Sequence, residues 1–432
     1  MKKISLAVLI IAGVMAASDA EANQGYFGGR PSLDGSINMR ASTTEQFDPI
    51  RGQSVAQRPR PDFDPTPIDV SSFQLFPSLT AGGYYDSNIY STQTGEKDDV
   101  VWKMVPALAA VSNWGRHAVA FTGFADINRY TNNSTEDYDG GAAQLEGRYD
   151  VAPSTWLGAK GGYQRVTEPR GSPNVLGAAA EPTQYDLYNA GAEGYRGMGK
   201  LKAKVDYDWS LYDFDPVAVF PAGTASQNNR NRIYNSVSTE VSYEVSENLK
   251  PFIRGGYDWR DYTSNFTRNS HGYNVDIGAF ADFGGIVTGE AYAGYRARDM
   301  YNFADTAEIP DFGGKVLWNV TELTSVEGEA SRSIDETTVG GSSTIVSSGG
   351  SVTVTHELRR NIILEGNGSY THYDYRLVPR EDVLYGAGVG GRYYISRNLY
   401  ADATFDYSKR ETNQPGADYD RHVTYLRVGV QY

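Results

Sequence analysis

Alternation with a period of two recurs through most of this chain, and it leaves few folds open. Leu201, Ala203, Val205, Tyr207, Trp209 and Leu211 interleave with Lys202, Lys204, Asp206, Asp208 and Ser210. Period two is the signature of a strand with one apolar and one polar face. The pattern returns where Val237, Val241, Tyr243 and Val245 interleave with Ser236, Ser238, Glu240, Ser242 and Glu244, and where Tyr273, Val275 and Ile277 interleave with Asn274 and Asp276. Ala291, Ala293 and Tyr295 alternate in the same way with Glu290, Arg296 and Arg298. So many one-faced strands require apolar surroundings along every outer face, and no helical stretch is available to supply them. A closed antiparallel sheet with lipid outside and water inside satisfies both faces and removes the sheet edges. The all-β expectation is therefore an up-and-down transmembrane barrel. Its closing strand is read in DRHVTYLRVGVQY, where Leu426, Val428, Val430 and Tyr432 alternate with Arg427, Gly429 and Gln431. These four apolar residues, ending on an aromatic ring, are expected to act as the membrane-assembly signal.

Composition agrees with a polar-lined barrel. Among 432 residues only 40% are apolar, yet there are 47 glycines and 32 tyrosines. The formal net charge of −14 and the lack of a basic stripe argue against nucleic acid as a partner. With no cysteine at all, structural disulfides and thiolate metal sites are excluded.

In chain order, Lys2 and Lys3 precede an apolar run from Ile4 to Ala17, then Ala20 and Ala22 in the small-residue spacing of a secretory cleavage site. Residues 1–22 are expected to be a signal peptide, since the run is shorter than the roughly 20 residues a spanning helix needs. Residues 23–72 lose periodicity and include RPRPDFDPTP, in which spaced prolines favour extended chain. A flexible Pro/Arg-rich periplasmic segment is the plain expectation, and a plug or a docking arm for a periplasmic partner is the sharper one. From 73 to 432 the barrel is expected.

Punctuation supplies the strand count. Short breaks fall at Asn113-Trp114-Gly115, Ala152-Pro153-Ser154, Gly197-Met198-Gly199 and Ser246-Glu247-Asn248. Four more fall at Gly284-Gly285, Trp318-Asn319-Val320, Leu358 to Asn361 and Ser396-Arg397-Asn398. Longer polar stretches lie between them, as at Thr167 to Thr183, Phe214 to Asn229 and Ile334 to Thr344. Tight turns on one side and longer loops on the other predict about 18 strands, or roughly 16 should two merge into a loop.

The run RPRPDFDPTPIDVSSFQLFPSL followed by GGYYDSNIY, with Asp86, Asn88 and Tyr90 in an Asp-x-Asn-x-Tyr pattern, resembles the family called putative β-barrel porin 2. The resemblance covers about Arg58 to Tyr432. It implies an outer-membrane barrel, in a family often associated with exopolysaccharide production, and brings no defined catalytic or binding residues with it.

Charges of both signs fall on the expected inner face. The pore-lining candidates are Lys202, Lys204, Asp206, Glu240 and Arg254, with Asp258, Glu290, Arg296, Arg392 and Arg427. Either they set up a transverse field that sorts solutes, or they form a cross-strand ion-pair lattice that stiffens the wall. Tyr292, Tyr394, Tyr400 and Tyr425 could line a path for sugars, or simply pack between strands. His117, His271, His356, His372 and His422 lack metal-ligand spacing, and no catalytic motif stands out, so neither a cofactor nor an enzyme is expected. Two functions remain: a porin-like channel for small hydrophilic solutes, or an envelope component linked to polysaccharide export. Partners expected on this reading are outer-membrane lipid, the barrel-assembly machinery and a periplasmic or polysaccharide-export protein. The low-charge stretch Thr167 to Thr183 either stays at the surface or folds inward to narrow the lumen.

Overall fold

A computed structural model describes residues 53–432 apart from Ala178, Asn302 and Ala304; the expected cleavage after Ala22 lies outside the described residues. Eighteen long strands form one closed antiparallel barrel. The first six are β1 Phe73–Asp86, β2 Asp99–Ser112, β3 Ala118–Tyr130, β4 Tyr138–Ala152, β5 Thr155–Thr167 and β6 Gln184–Met198. The next six are β7 Leu201–Phe214, β8 Arg232–Tyr243, β9 Leu249–Tyr262, β10 Ser270–Phe283, β11 Val287–Met300 and β12 Asp305–Thr321. The last six are β13 Thr324–Asp335, β14 Ile345–Arg359, β15 Ile362–Tyr375, β16 Arg380–Tyr394, β17 Leu399–Thr412 and β18 Tyr419–Gln431. Each pairs with its sequence neighbour, and β18 closes on β1 in a register running from Ser78↔Gln431 to Asp86↔Val423. At 12 to 17 residues, the strands exceed the roughly 9–11 that a tilted strand needs to cross a bilayer.

The outer face carries the apolar half of each alternation. Val205, Val241, Ile253, Ile277, Val352, Val389 and Leu426 all point away from the barrel and lie exposed. Rings bound this aliphatic band at both ends. Tyr149, Tyr243, Trp318, Tyr393 and Tyr432 lie near the tight turns, and Trp102, Tyr163, Tyr188, Tyr273 and Tyr385 lie toward the opposite rim. Two aromatic girdles around an aliphatic belt mark the two membrane interfaces.

Eight short connections join the strands at the end where β1 begins and β18 finishes. Their tightness requires glycine at Gly199, Gly284 and Gly285, which all adopt positive φ. One expected turn is displaced: Trp318-Asn319-Val320 belongs to β12, which continues to Thr321, so the turn is at 322–323. The outward side chains Val316, Trp318 and Val320 explain the extension, because their alternation carries the strand to the membrane boundary.

On the inner face, rings lie flat on glycines of the next strand. A Cβ at Gly278 would meet Phe252 at 2.4 Å, one at Gly313 would meet Tyr292 at 2.5 Å, and one at Gly429 would meet Tyr400 at 2.0 Å. The buried apolar clusters sit in the half of the lumen beneath the long loops. Three of them are Tyr185, Leu187, Tyr212 and Phe214; Ile345, Tyr373, Tyr375 and Leu384; and Tyr84, Val101 and Val423. Burial inside a water-lined barrel requires a cover, and inserted segments provide it.

Candidate functional site: a lumen narrowed from within

The alternation places all ten pore-lining candidates on the inner face. There the opposite charges interleave strand by strand. Arg254 on β9 reaches Glu240 on β8 at 2.8 Å and Glu290 on β11 at 3.2 Å. Lys204 lies 2.9 Å from Asp206 and 3.4 Å from Glu193, and Lys202 lies 2.8 Å from Glu244. Arg296 holds Asp311 at 2.7 Å, and Arg298 holds Asp258. Across the barrel, Arg392 grips Asp402 at 2.7 Å while its guanidinium lies 4.3 Å from the Tyr400 ring. Arg427 stacks 5.0 Å from Tyr425. With nine of the ten countered by an opposite charge on their own or a nearby strand and Arg427 set over a ring, the wall is a lattice of ion pairs rather than two opposed faces of single sign. The partly exposed pairs, such as Lys204–Asp206 and Arg254–Glu240, contribute only about 0–1 kcal/mol each.

The tyrosines offered for a sugar path are committed to packing. Tyr292 lies on Gly313 and Tyr400 on Gly429, while Tyr394 meets Phe63 at 5.8 Å and Tyr425 meets Tyr84 at 4.7 Å. Among the described residues no group of three acidic or histidine side chains is placed to hold a metal ion.

The narrowing comes from two segments at the long-loop end. The first is the connection 168–183 between β5 and β6. Arg170 forms a bidentate pair with the buried Glu136, and the Gly171 carbonyl accepts from Arg410 Nη1 at 3.2 Å on β17. Beyond it, Asn174 Oδ1 accepts the Thr338 N–H at 2.9 Å, and Asn174 Nδ2 donates to the Glu336 carbonyl at 3.3 Å. Thr338 belongs to the β13–β14 connection, eight places around an 18-strand barrel from β5–β6 and so almost opposite. The loop and the hairpin connection therefore meet inside the lumen. The second half of the loop, in contrast, runs beside the 215–231 connection, where Ala179 bridges Val219.

The second segment is the tip of the β13–β14 hairpin. Pairing of β12 with β13 stops at Gly314↔Ala330, although both strands continue toward the long-loop end. Past that point Ile334 and Val346 are buried against Ala307 and Ile309, residues of the inner face of β12. The hairpin tip has thus left the wall and turned inside. Glu336 extends from it to Arg232 Nε at 3.1 Å, Arg260 Nη1 at 3.4 Å and the Tyr262 hydroxyl. Strand parity carries one sign of this, Arg332, a charged residue at an outward position two before Ile334.

Between these two segments and the β5–β9 wall lies a cavity of about 140 Å³, lined by Arg230, Arg232, Glu168, Tyr212, Phe214 and Tyr262 among others. Arg230 is held by Glu168 at 2.8 Å and lies 4.0 Å from the Phe214 ring, so both its edge and its face are engaged.

A third segment lies at the tight-turn end. The described part of the Pro/Arg-rich region, 53–72, is seated against the barrel rather than extended away from it. A short strand, Ile68–Val70, folds back antiparallel on the start of β1.

The profile of the family putative beta-barrel porin 2 matches residues 60–432. The chain belongs to that family. It is a porin-like β-barrel channel of the bacterial outer membrane, and family and fold point to a channel rather than an enzyme. A search of curated proteins finds no match. Among solved structures, the outer membrane protein OpdK of Pseudomonas aeruginosa shares 12% identity at a TM-score of 0.45, over 83% of this chain and 98% of its own. OpdO of the same organism shares 10% identity at 0.45, over 84% and 98%. The copper transporter OprC shares 8% at 0.44, over 80% and 63%. Likeness this distant says nothing of what passes through this barrel.

Proposed function

We propose that the barrel passes small hydrophilic solutes through a lumen kept narrow by its own segments. The observation that carries this reading is the bridge from Asn174 to Thr338 and Glu336, which joins nearly opposite sides of the outer mouth. An 18-strand barrel without inserts encloses an aqueous channel, so the inserted segments, and not the strand number, would set the limiting cross-section. The ion-paired wall suits polar solutes of either charge and presents no apolar path. We infer further that residues 1–22 are removed on export and that Leu426, Val428, Val430 and Tyr432 present the barrel to its assembly machinery and then to lipid. The purified barrel in planar bilayers tests the reading. A small, steady conductance supports it; a folded barrel with no conductance under any voltage contradicts it.

One observation favours a second reading, an envelope component that serves polysaccharide export. Residues 53–72 are seated at the periplasmic end, so the chain leading into them starts where a periplasmic partner would meet it. Loss of exopolysaccharide from cells lacking the gene, combined with a non-conducting barrel, would move the balance to this account.

A further inference from the structure

We propose that residues 53–66 form a second, displaceable constriction at the periplasmic mouth, in series with the one at the outer mouth. The segment's barrel partners decide where it runs. Val55 N donates to Ser325 Oγ at 3.0 Å, and Arg60 Nη2 lies 3.7 Å from Glu357 Oε2. Phe63 packs 5.8 Å from Tyr394, and the Phe63 carbonyl accepts from Gln431 Nε2 at 3.0 Å. Ser325, Glu357, Tyr394 and Gln431 all face the lumen by strand parity, so the segment passes inside the wall from β13 round to β18. Ser54 and Val55 are 0% exposed and Arg60 is 5% exposed, a degree of burial that a strand lying outside the rim would not give them.

The way it is held explains why it can leave. Pro59, Pro61, Pro65 and Pro67 lack N–H groups, so this stretch cannot add to the sheet as a hydrogen-bonded strand. Its attachments are side-chain contacts, chiefly the Arg60–Glu357 pair, the Arg58 contacts with Asn319 and the Glu322 carbonyl, and the grip of Arg397 on the Pro61 carbonyl at 2.6 Å. Breaking them disrupts no strand pairing. The barrel would remain closed while its inner mouth widens.

The test uses the whole mature chain in planar bilayers, with folding checked by heat-modifiable gel mobility. Arg60→Glu should set two carboxylates against each other at the Glu357 anchor and raise single-channel conductance. Adding Glu357→Arg should restore the pair and return conductance toward the starting value. Deletion of 54–66 should raise it further than Arg60→Glu does. The same deletion made in a chain whose outer-mouth loop has been excised separates the two constrictions: an increase there supports the inner one whatever the outer loop does alone. Unchanged conductance for folded Arg60→Glu, or for the folded deletion in the loop-excised chain, would overturn the proposal.

Discussion

The hydroxyl of Tyr400 lies 3.0 Å from that of Thr80, and the ring reaches it by lying across Gly429. Tyr400 is on β17, Gly429 on β18 and Thr80 on β1, so one side chain spans the seam where the barrel closes. A Cβ at Gly429 would stand 2.0 Å from the Tyr400 ring. Gly429→Val should therefore expel the ring and cost about 1–3 kcal/mol, seen as a lower urea midpoint of the refolded barrel. Adding Tyr400→Ser should recover part of the loss by removing the clash, whereas equal midpoints for Gly429→Val and the parent would show that the seam tolerates the ring elsewhere.

The lipid face gives a second test. Val205 and Val241 are outward and exposed, so Val205→Arg or Val241→Arg should cost about 2–4 kcal/mol if near the midplane. Ser238 is the better lumen control. Ser210 also faces inward but is only 1% exposed, and an arginine there would be overpacked. Ser238→Arg should assemble normally by heat-modifiable gel mobility while both valine variants fail; equal behaviour would invert the assigned faces.

Glu336 is the pin of the inward hairpin. It faces Arg232, Arg260 and the Tyr262 hydroxyl from across the lumen. Glu336→Gln removes the charge that both arginines meet and leaves them countered less well. Bilayer recordings should show frequent transitions to a larger conductance, together with a shift of reversal potential toward anions. A quiet trace with unaltered selectivity would mean that apolar packing around Ile334 and Val346 holds the tip by itself.

Arg254 and Arg296 each serve nearby carboxylates, so reversing them does more than delete two positive charges. Arg254→Glu with Arg296→Glu leaves Glu240, Glu290 and Asp311 without their cations. In a salt gradient the reversal potential should move toward cation preference. No movement would mean that solutes do not pass this stretch of wall.

Much of the architecture was legible because it follows from parity and punctuation. Val205 and Lys204 declare their faces by neighbouring each other, and the breaks around Gly199 and Gly284 fix the strand count once each is read as a tight turn. The site was legible only in part. The stretch Thr167 to Thr183 stood out by its low charge, yet the residues that reach into the lumen are its Arg170, Gly171 and Asn174, while its second half lies beside Val219. The inward turn of the β13–β14 tip left one local mark, Arg332 at an outward position, while Ile334 left none, because it is an apolar residue at an outward position whether lipid or β12 covers it. Docking of 53–72 was legible only as the alternative of a plug or docking arm, because partners such as Ser325 and Glu357 lie some 260 to 300 residues away and proline content reports only that the segment is extended.

The most direct test of a lumen narrowed from within is single-channel conductance after excision of residues 171–181, closed with a short Gly-Ser linker. This removes Asn174 and with it the bridge to Thr338, while leaving β5 and β6 intact. The barrel should fold and its conductance should rise, as expected when a constriction is removed. A correctly folded barrel whose conductance stays the same both after this excision and after its combination with deletion of 54–66 would contradict the account.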